Sequence, residues 1–363
     1  MSSIELLSKL QISAIETNKL FRRLSEKTQV AFPRQGMPEV LLTRLTHSFE
    51  VATSSAVMAY FIADQFGWAP RAVDYMGSVE PCSLLHDIGH TPYGHPGKDV
   101  LSQRFTSVGL DEGFCDNNNV LTVIEKNNIM VSDHTIASVI KYPSDLYPYQ
   151  MEKYTALLQK ELARDAAHFA SLGLHLLPQT RTIACQIMDE ADRNTYVCSD
   201  LADFLCLGNT LSSNTLKQMA DKAGLVYRYS ELQALASVMR SRDKSTIKAY
   251  FNNLKNQFNM NFTLTEKGLT VLNASLHAYR EFLWDVEHEH YIKPIRQEDF
   301  HLNNMKKFHA FIDKVLNEGF APSRTYAAAI QRAKDAGDRT SMLRAQRDMI
   351  AEATDLYVTN MPL

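Results

Sequence analysis

Leu84-Leu85-His86-Asp87-Ile88-Gly89-His90-Thr91-Pro92-Tyr93-Gly94-His95-Pro96-Gly97 places three imidazoles and one carboxylate within ten positions. His86 and Asp87 stand side by side at the end of an apolar segment. They offer a neutral nitrogen and an anionic oxygen to one cation, a mixed set suited to Mn, Fe, Co, Ni or Mg. No cysteine lies within the stretch, which argues against a structural zinc knuckle. Gly89, Gly94 and Gly97, with Pro92 and Pro96, end the helix after the dyad and predict a loop that carries His90 and His95.

Outward from this stretch, apolar residues recur at three- and four-residue spacing and alternating runs are almost absent. Gly and Pro number only 14 and 12 among 363 residues. The pattern predicts an all-α chain, long enough for a large core and read as residues 1–210 around the site with a helical extension over 211–363. A net charge of −3 gives no general attraction to nucleic acid or acidic membranes. The basic residues Lys306, Lys307, Arg344 and Arg347 read as a solvated face, so nucleic acid is a weak third option as partner. Five cysteines without close pairing fit reduced thiols. With no leader pattern and no long apolar span, the expected location is the cytoplasm, without membrane attachment.

Residues 2–26 carry a helical stripe whose Arg and Lys residues, with Lys27, read as solvated. Phe32 to Gly36 breaks it, and a helix follows from about Pro38 to Phe66. There Arg44 and His47 lie one turn apart on one face, a placement suited to phosphate because arginine offers a rigid two-pronged fork. The polar run from Glu112 to Asn119 enters a helix at Val120. Asp133 to Ile140 reads as a helix that ends ahead of Pro143, with His134 structural. A helix to about Ser171 precedes another over Arg181 to Leu207. On the latter, Asp189 and Glu190 read as solvated, whereas Asp192, Tyr196 and Asp200 recur every four residues and line one face. The helix is apolar enough to be buried, so those acids need partners. The rest is helical apart from a hairpin near Asn261 to Val271. His277, His288, His290, His301 and His309 show no ligand spacing.

The order His47, then His86-Asp87, then Asp192 resembles the HD-domain metal-dependent phosphohydrolases. Arg22-Arg23-Leu24 with Lys27-Thr28-Gln29-Val30, then Thr43-Arg44-Leu45-Thr46-His47-Ser48-Phe49-Glu50-Val51, narrows the resemblance to the deoxyguanosinetriphosphate triphosphohydrolase (dGTPase) family. Lys141-Tyr142-Pro143, Ala191-Asp192 through Asp200, and Asp348-Met349-Ile350-Ala351 with Thr354-Asp355 fall where that family has its blocks. The resemblance implies an HD-domain helical fold in which one divalent ion, Mn²⁺ or Mg²⁺ with Fe, Co or Ni as alternatives, is held by His47, His86, Asp87 and Asp192. It further implies Arg44 on the triphosphate, His90 and His95 along the phosphates, Gln29 and Asp200 on the sugar 3′-hydroxyl, and Tyr196 against the deoxyribose. Arg193 stands where relatives carry an acid and adds a candidate phosphate contact. Where the family commonly has Phe-Glu followed by Asn-Ala-Gln, this chain reads Phe114-Cys115-Asp116-Asn117-Asn118-Asn119, so proton transfer falls to Asp116 or His90. The implied activity is hydrolysis of dGTP or a broader set of dNTPs to deoxynucleoside and triphosphate by a homo-oligomer, a hexamer on the family pattern. Its rivals are an HD-domain 5′-deoxynucleotidase and a nucleotide-binding regulatory subunit that has lost turnover.

Overall fold

The computed structural model describes residues 3–30, 42–68, 77–225 and 229–361. The fold is all-α, with the antiparallel hairpin Phe262–Thr265 and Gly268–Val271 as its sheet among these residues. The break at Phe32 to Gly36 and the start expected at Pro38 lie outside the described residues. The helix that follows runs Arg44–Gln65 and begins with a capping box, in which Thr43 and Thr46 satisfy each other's backbone amides. Such a cap contributes about 1 kcal/mol. Burial contributes more: Val51, Met58 and Ile62 on this helix are fully buried, each at about 1.5–3 kcal/mol.

Arg44–Gln65 packs against Val79–Leu85 and Ile183–Cys206, and these three helices carry the metal-type residues. Small hydroxyl residues let them approach closely. Ser55 and Ser83 share a hydrogen bond of 2.7 Å, and Thr195 donates to Ser54 at 3.1 Å. The N-terminus of Ile183–Cys206 is fixed twice: the Thr182 hydroxyl accepts from the Cys185 amide, and Asp165 accepts from the Ile183 amide. Asp165 also meets His134 Nε2 at 3.0 Å, which gives that histidine a structural partner.

A second apolar cluster joins the end of Ile183–Cys206 to Lys244–Asn259 and Ala274–Glu287, and a third packs Asp299–Glu318 and Arg339–Ala351 onto Leu101, Phe105 and Phe114. Between Ala274–Glu287 and the short helix Lys293–Arg296 lies a π-helical turn over His288–Ile292, a local form that recurs at functional sites.

Several charges expected in solvent are buried. Lys27 donates to the carbonyls of His90 and Ala351, and burial pushes its amine down to about 8. Asp189 is tied to Arg181 at 2.8 Å, and Glu190 to Arg280 at 2.5 Å. Arg347 is fully buried, and Arg344 forks onto Glu112. His95 also departs from the expected loop, since it stands in the first turn of the helix Gly94–Ser107. Lys27, Asp189 and Arg347 are each covered by a distant segment, which local periodicity does not encode. No helix among the described residues is long and apolar enough to cross a membrane.

Asp203 offers a test of this buried charge. It accepts from the Leu42 amide at 2.9 Å, and burial pushes its carboxyl up to about 6. The native state therefore binds a proton more tightly than the unfolded chain, and a destabilising contribution grows from about pH 4 to about pH 6 and is complete above that. Asp203→Asn keeps an acceptor for Leu42. It is expected to gain about 1–3 kcal/mol at pH 8 in urea unfolding, since each tenfold difference in proton affinity between the two states is worth about 1.4 kcal/mol. Near pH 4 it should match the parent. An equal gain at both pH values would refute this reading.

Candidate functional site

His47 lies in the first turn of Arg44–Gln65, His86 caps the C-terminus of Val79–Leu85, and Asp192 sits midway along Ile183–Cys206. One potential ligand atom from each falls within 4.8 Å of the other two. Asp192 Oδ1 is 3.0 Å from His47 Nε2 and 3.4 Å from His86 Nε2. Asp87 adjoins the trio, with Oδ1 3.3 Å from His86 Nε2. Each carboxylate is held from behind by a buried cation: Arg44 grips Asp87 Oδ2 at 2.7 Å, and Lys141 grips Asp192 Oδ2 at 2.8 Å. Their remaining oxygens turn toward the imidazoles.

The second contact of His86 suits a cation. His86 Nδ1 donates to the Ser83 carbonyl at 2.6 Å, which leaves the Nε2 lone pair facing the cluster. That Nε2 atom is buried without a hydrogen-bond partner. Burial alone would push both carboxyls up. For Asp87 the His86 and His90 imidazoles and Arg44 overcome it, and for Asp192 Lys141, His86 and His47 do, so both are held well below the ordinary carboxylate range. Two imidazoles and ionised carboxylates fit a hard or borderline divalent metal.

Beside this cluster, His90 Nδ1 lies 3.4 Å from Asp116 Oδ2 and His90 Nε2 lies 3.5 Å from Asp87 Oδ1. Burial, reinforced by Arg44, pushes the His90 imidazole down to about 3. Asp116 is held near 2: burial opposes ionisation, but His90 and Lys98, the latter 3.1 Å away, prevail. Gly89 makes the His90–Asp116 approach feasible, because a Cβ there would stand 2.3 Å from the Asp116 carbonyl oxygen. Gly94 adopts a φ of +58°, and its Cβ would lie 2.7 Å from an Arg44 guanidinium nitrogen. His95 is exposed, with its ring centroid 5.9 Å from that of His90.

The His47, His86, Asp87 and Asp192 cluster, with Arg44, His90, His95, Lys98 and Asp116, lines one cavity of about 840 Å³ that continues past Gln29, Tyr196 and Asp200. Gln29 gets there because its strand-like segment pairs with the residues before Arg44–Gln65, through Gln29 N to Leu42 O and the Thr28–Thr43 bridge. Arg193 is at the rim, exposed and 3.8 Å from Asp189. The cavity therefore brings together His47, His86, Asp87, Asp192, Arg44, His90, His95, Asp116, Gln29, Arg193, Tyr196 and Asp200. Sequence reasoning passed over Lys141 as a charge and Glu287 altogether. Lys141 could have been found from its place directly before Tyr142-Pro143; Glu287 has no local signal. Buried Glu287 lacks a hydrogen-bond donor on either carboxyl oxygen. It faces Asp200, and burial drives both carboxyls well above their ordinary range. Two such groups facing each other resist ionising together.

No family model matches the chain. It is 28% identical over 226 residues to a deoxyguanosinetriphosphate triphosphohydrolase-like protein of Shewanella loihica, covering 52% of this chain and 51% of that protein. A like-named protein of Shewanella oneidensis is 26% identical over 325 residues, covering 76% of this chain and 71% of its own. One from Wolinella succinogenes is 30% identical over 216 residues, covering 56% and 52%. The matched region thus spans about half the length of two of these three relatives. A crystal structure of a hypothetical protein from Aquifex aeolicus covers 99% of this chain and 67% of its own at 13% identity and a TM-score of 0.41, too loose a likeness to bear on function.

Proposed function

We propose that the chain, which is similar to the deoxyguanosinetriphosphate triphosphohydrolase-like proteins, hydrolyses deoxynucleoside triphosphates to deoxynucleoside and inorganic triphosphate with the help of a divalent metal. The observation that carries this reading is the pair of carboxylates, each tied by a buried cation on one oxygen and turned toward His47 and His86 with the other. His47, His86 and Asp192 would hold the ion, with Asp87 as the fourth ligand beside them. When bound, such an ion neutralises phosphate charge and lowers the pKa of a water.

The chain's own groups do the rest. Arg44, fixed by Asp87, presents positive charge where negative charge develops. His90 is neutral at pH 7, so its imidazole can take a proton from the attacking water or pass one to the departing 5′-oxygen, while ionised Asp116 orients the ring. The bond between the α-phosphorus and the 5′-oxygen breaks; water supplies the new oxygen on phosphorus, and a proton ends on the nucleoside. Tyr196, four residues along the helix from Asp192, lies about 6 Å further along its axis and packs against the sugar, with Asp200 and Gln29 on the 3′-hydroxyl. A ribose 2′-hydroxyl left without a partner there costs about 1–3 kcal/mol.

The test is incubation of purified protein with each of the four dNTPs and Mn²⁺ or Mg²⁺, with anion-exchange separation of products. Equal amounts of deoxynucleoside and triphosphate are expected. Pyrophosphate with monophosphate, or orthophosphate from a monophosphate alone, would place the chain in another reaction class.

A further inference from the structure

Six cations line the cavity, and five have a carboxylate partner: Arg44 on Asp87, Lys98 on Asp116, Lys141 on Asp192, Arg193 on Asp189 and Arg280 on Glu190. Arg296 is the exception. Among the described residues its guanidinium forms no ion pair and no hydrogen bond, although the residue is half-buried in the cavity wall. Its charge is poorly compensated there: burial lowers its pKa, and Asp99 is the one opposing carboxylate. Arg296 ends the short helix Lys293–Arg296 that follows the π-helical turn, and so comes from a part of the chain remote from the histidine and aspartate cluster.

Its neighbours indicate which end of the cavity it serves. The buried His301 imidazole, and the His95 imidazole desolvated by the cavity wall although the residue reaches solvent, are pushed below their ordinary range, and Arg296 contributes to both. His95, Lys98 and His301 are themselves lining residues. His95 feels Asp116 and Lys98 as well as Arg296, which puts Arg296 toward the Asp116 side of the cavity. A half-buried guanidinium without a partner is costly until an anion arrives, and its planar fork matches the oxygens of a phosphate.

We infer that Arg296 receives the terminal phosphate of a nucleoside polyphosphate and so separates triphosphates from monophosphates. This rests on the reading of the cavity as a nucleotide site. The bound chain then extends from the metal cluster past His90 and His95 to Arg296, and a monophosphate stops short of it.

Isothermal titration of the full chain with inorganic triphosphate and, separately, with orthophosphate tests this without turnover. Arg296→Gln is expected to weaken triphosphate binding by at least about tenfold, or about 1.4 kcal/mol, while orthophosphate binding stays within about twofold. Arg296→Lys should recover part of the loss, and circular dichroism should match the parent for both variants. In turnover, KM for a dNTP should rise by a similar factor, with kcat within about threefold. Parent-like triphosphate binding by Arg296→Gln, equal losses for both anions, or no triphosphate binding by the parent would each overturn the inference. The two readings fail separately. Dependence of triphosphate binding on Arg296 in a chain that hydrolyses no dNTP would sink the proposed reaction alone. Parent-level dNTP turnover with no effect of Arg296→Gln on affinity would sink only the role of Arg296.

Discussion

Asp192→Asn is expected to remove bound metal and dNTP turnover together while leaving the helical fold in place. Asparagine keeps the shape and one acceptor, so the packing of Ile183–Cys206 is undisturbed, but the anionic oxygen 3.0 Å from His47 and 3.4 Å from His86 is lost. A divalent ion with few anionic ligands loses affinity steeply when one is neutralised. The other oxygen now accepts from Lys141 as a neutral dipole, and Lys141 keeps Asp189 at 3.5 Å as its counter-charge. The local structure therefore has a reason to survive. We expect a kcat lower by at least about a thousandfold, or about 4 kcal/mol. Metal content after dialysis, read by elemental analysis, should drop from near one ion per chain to a small fraction, with an unchanged helical signal at 222 nm. A variant that retains its metal and parent-level turnover would remove Asp192 from the centre and the proposed mechanism with it.

Arg347→Leu is expected to produce the largest loss of stability. The guanidinium is wholly buried, lies 4.5 Å above the Tyr147 ring, and donates to the Gly113 carbonyl at 3.0 Å, to Asp348 at 2.9 Å and to the Tyr149 hydroxyl at 3.2 Å. Leucine fills much of the volume but leaves a buried carbonyl and carboxylate short of a donor. Removing one member of a buried ionic network costs about 3–5 kcal/mol, visible as a lower urea midpoint at constant m-value. The effect should also reach the cavity. Tyr147, under Arg347, accepts from the Cys115 amide at 2.7 Å, immediately before Asp116. A drop in kcat beyond the loss of folded protein is therefore expected. Unfolding at the parent midpoint would show that the network contributes little.

The architecture was legible where the physics is local. Three- and four-residue apolar spacing gave the helices, including Ile183–Cys206 nearly to its ends, and the turn-flanked stretch near Asn261 to Val271 gave the hairpin. The adjacent His86 and Asp87, and the four-residue steps from Asp192 to Asp200, are likewise local facts that mark one face or one helix end before any tertiary contact forms. The position of His95 in a first helical turn was less legible, because glycine and proline are tolerated at a helix start as well as in a loop.

Residue order alone thus fixes the helices, the faces on which the acids and imidazoles lie, and the sequence in which they are met. Which charges leave water, and what they then face, is settled by packing between distant segments. Lys27, Lys141, Asp189 and Arg347 look like solvated residues in their own windows, and each is buried by a segment far away in the chain. The Asp200–Glu287 pair and the unpartnered Arg296 belong to the same class. The reason is one of range. Helical periodicity is set by contacts three and four residues apart, whereas burial of a charge depends on the closure of long loops and on partners that no local spacing records.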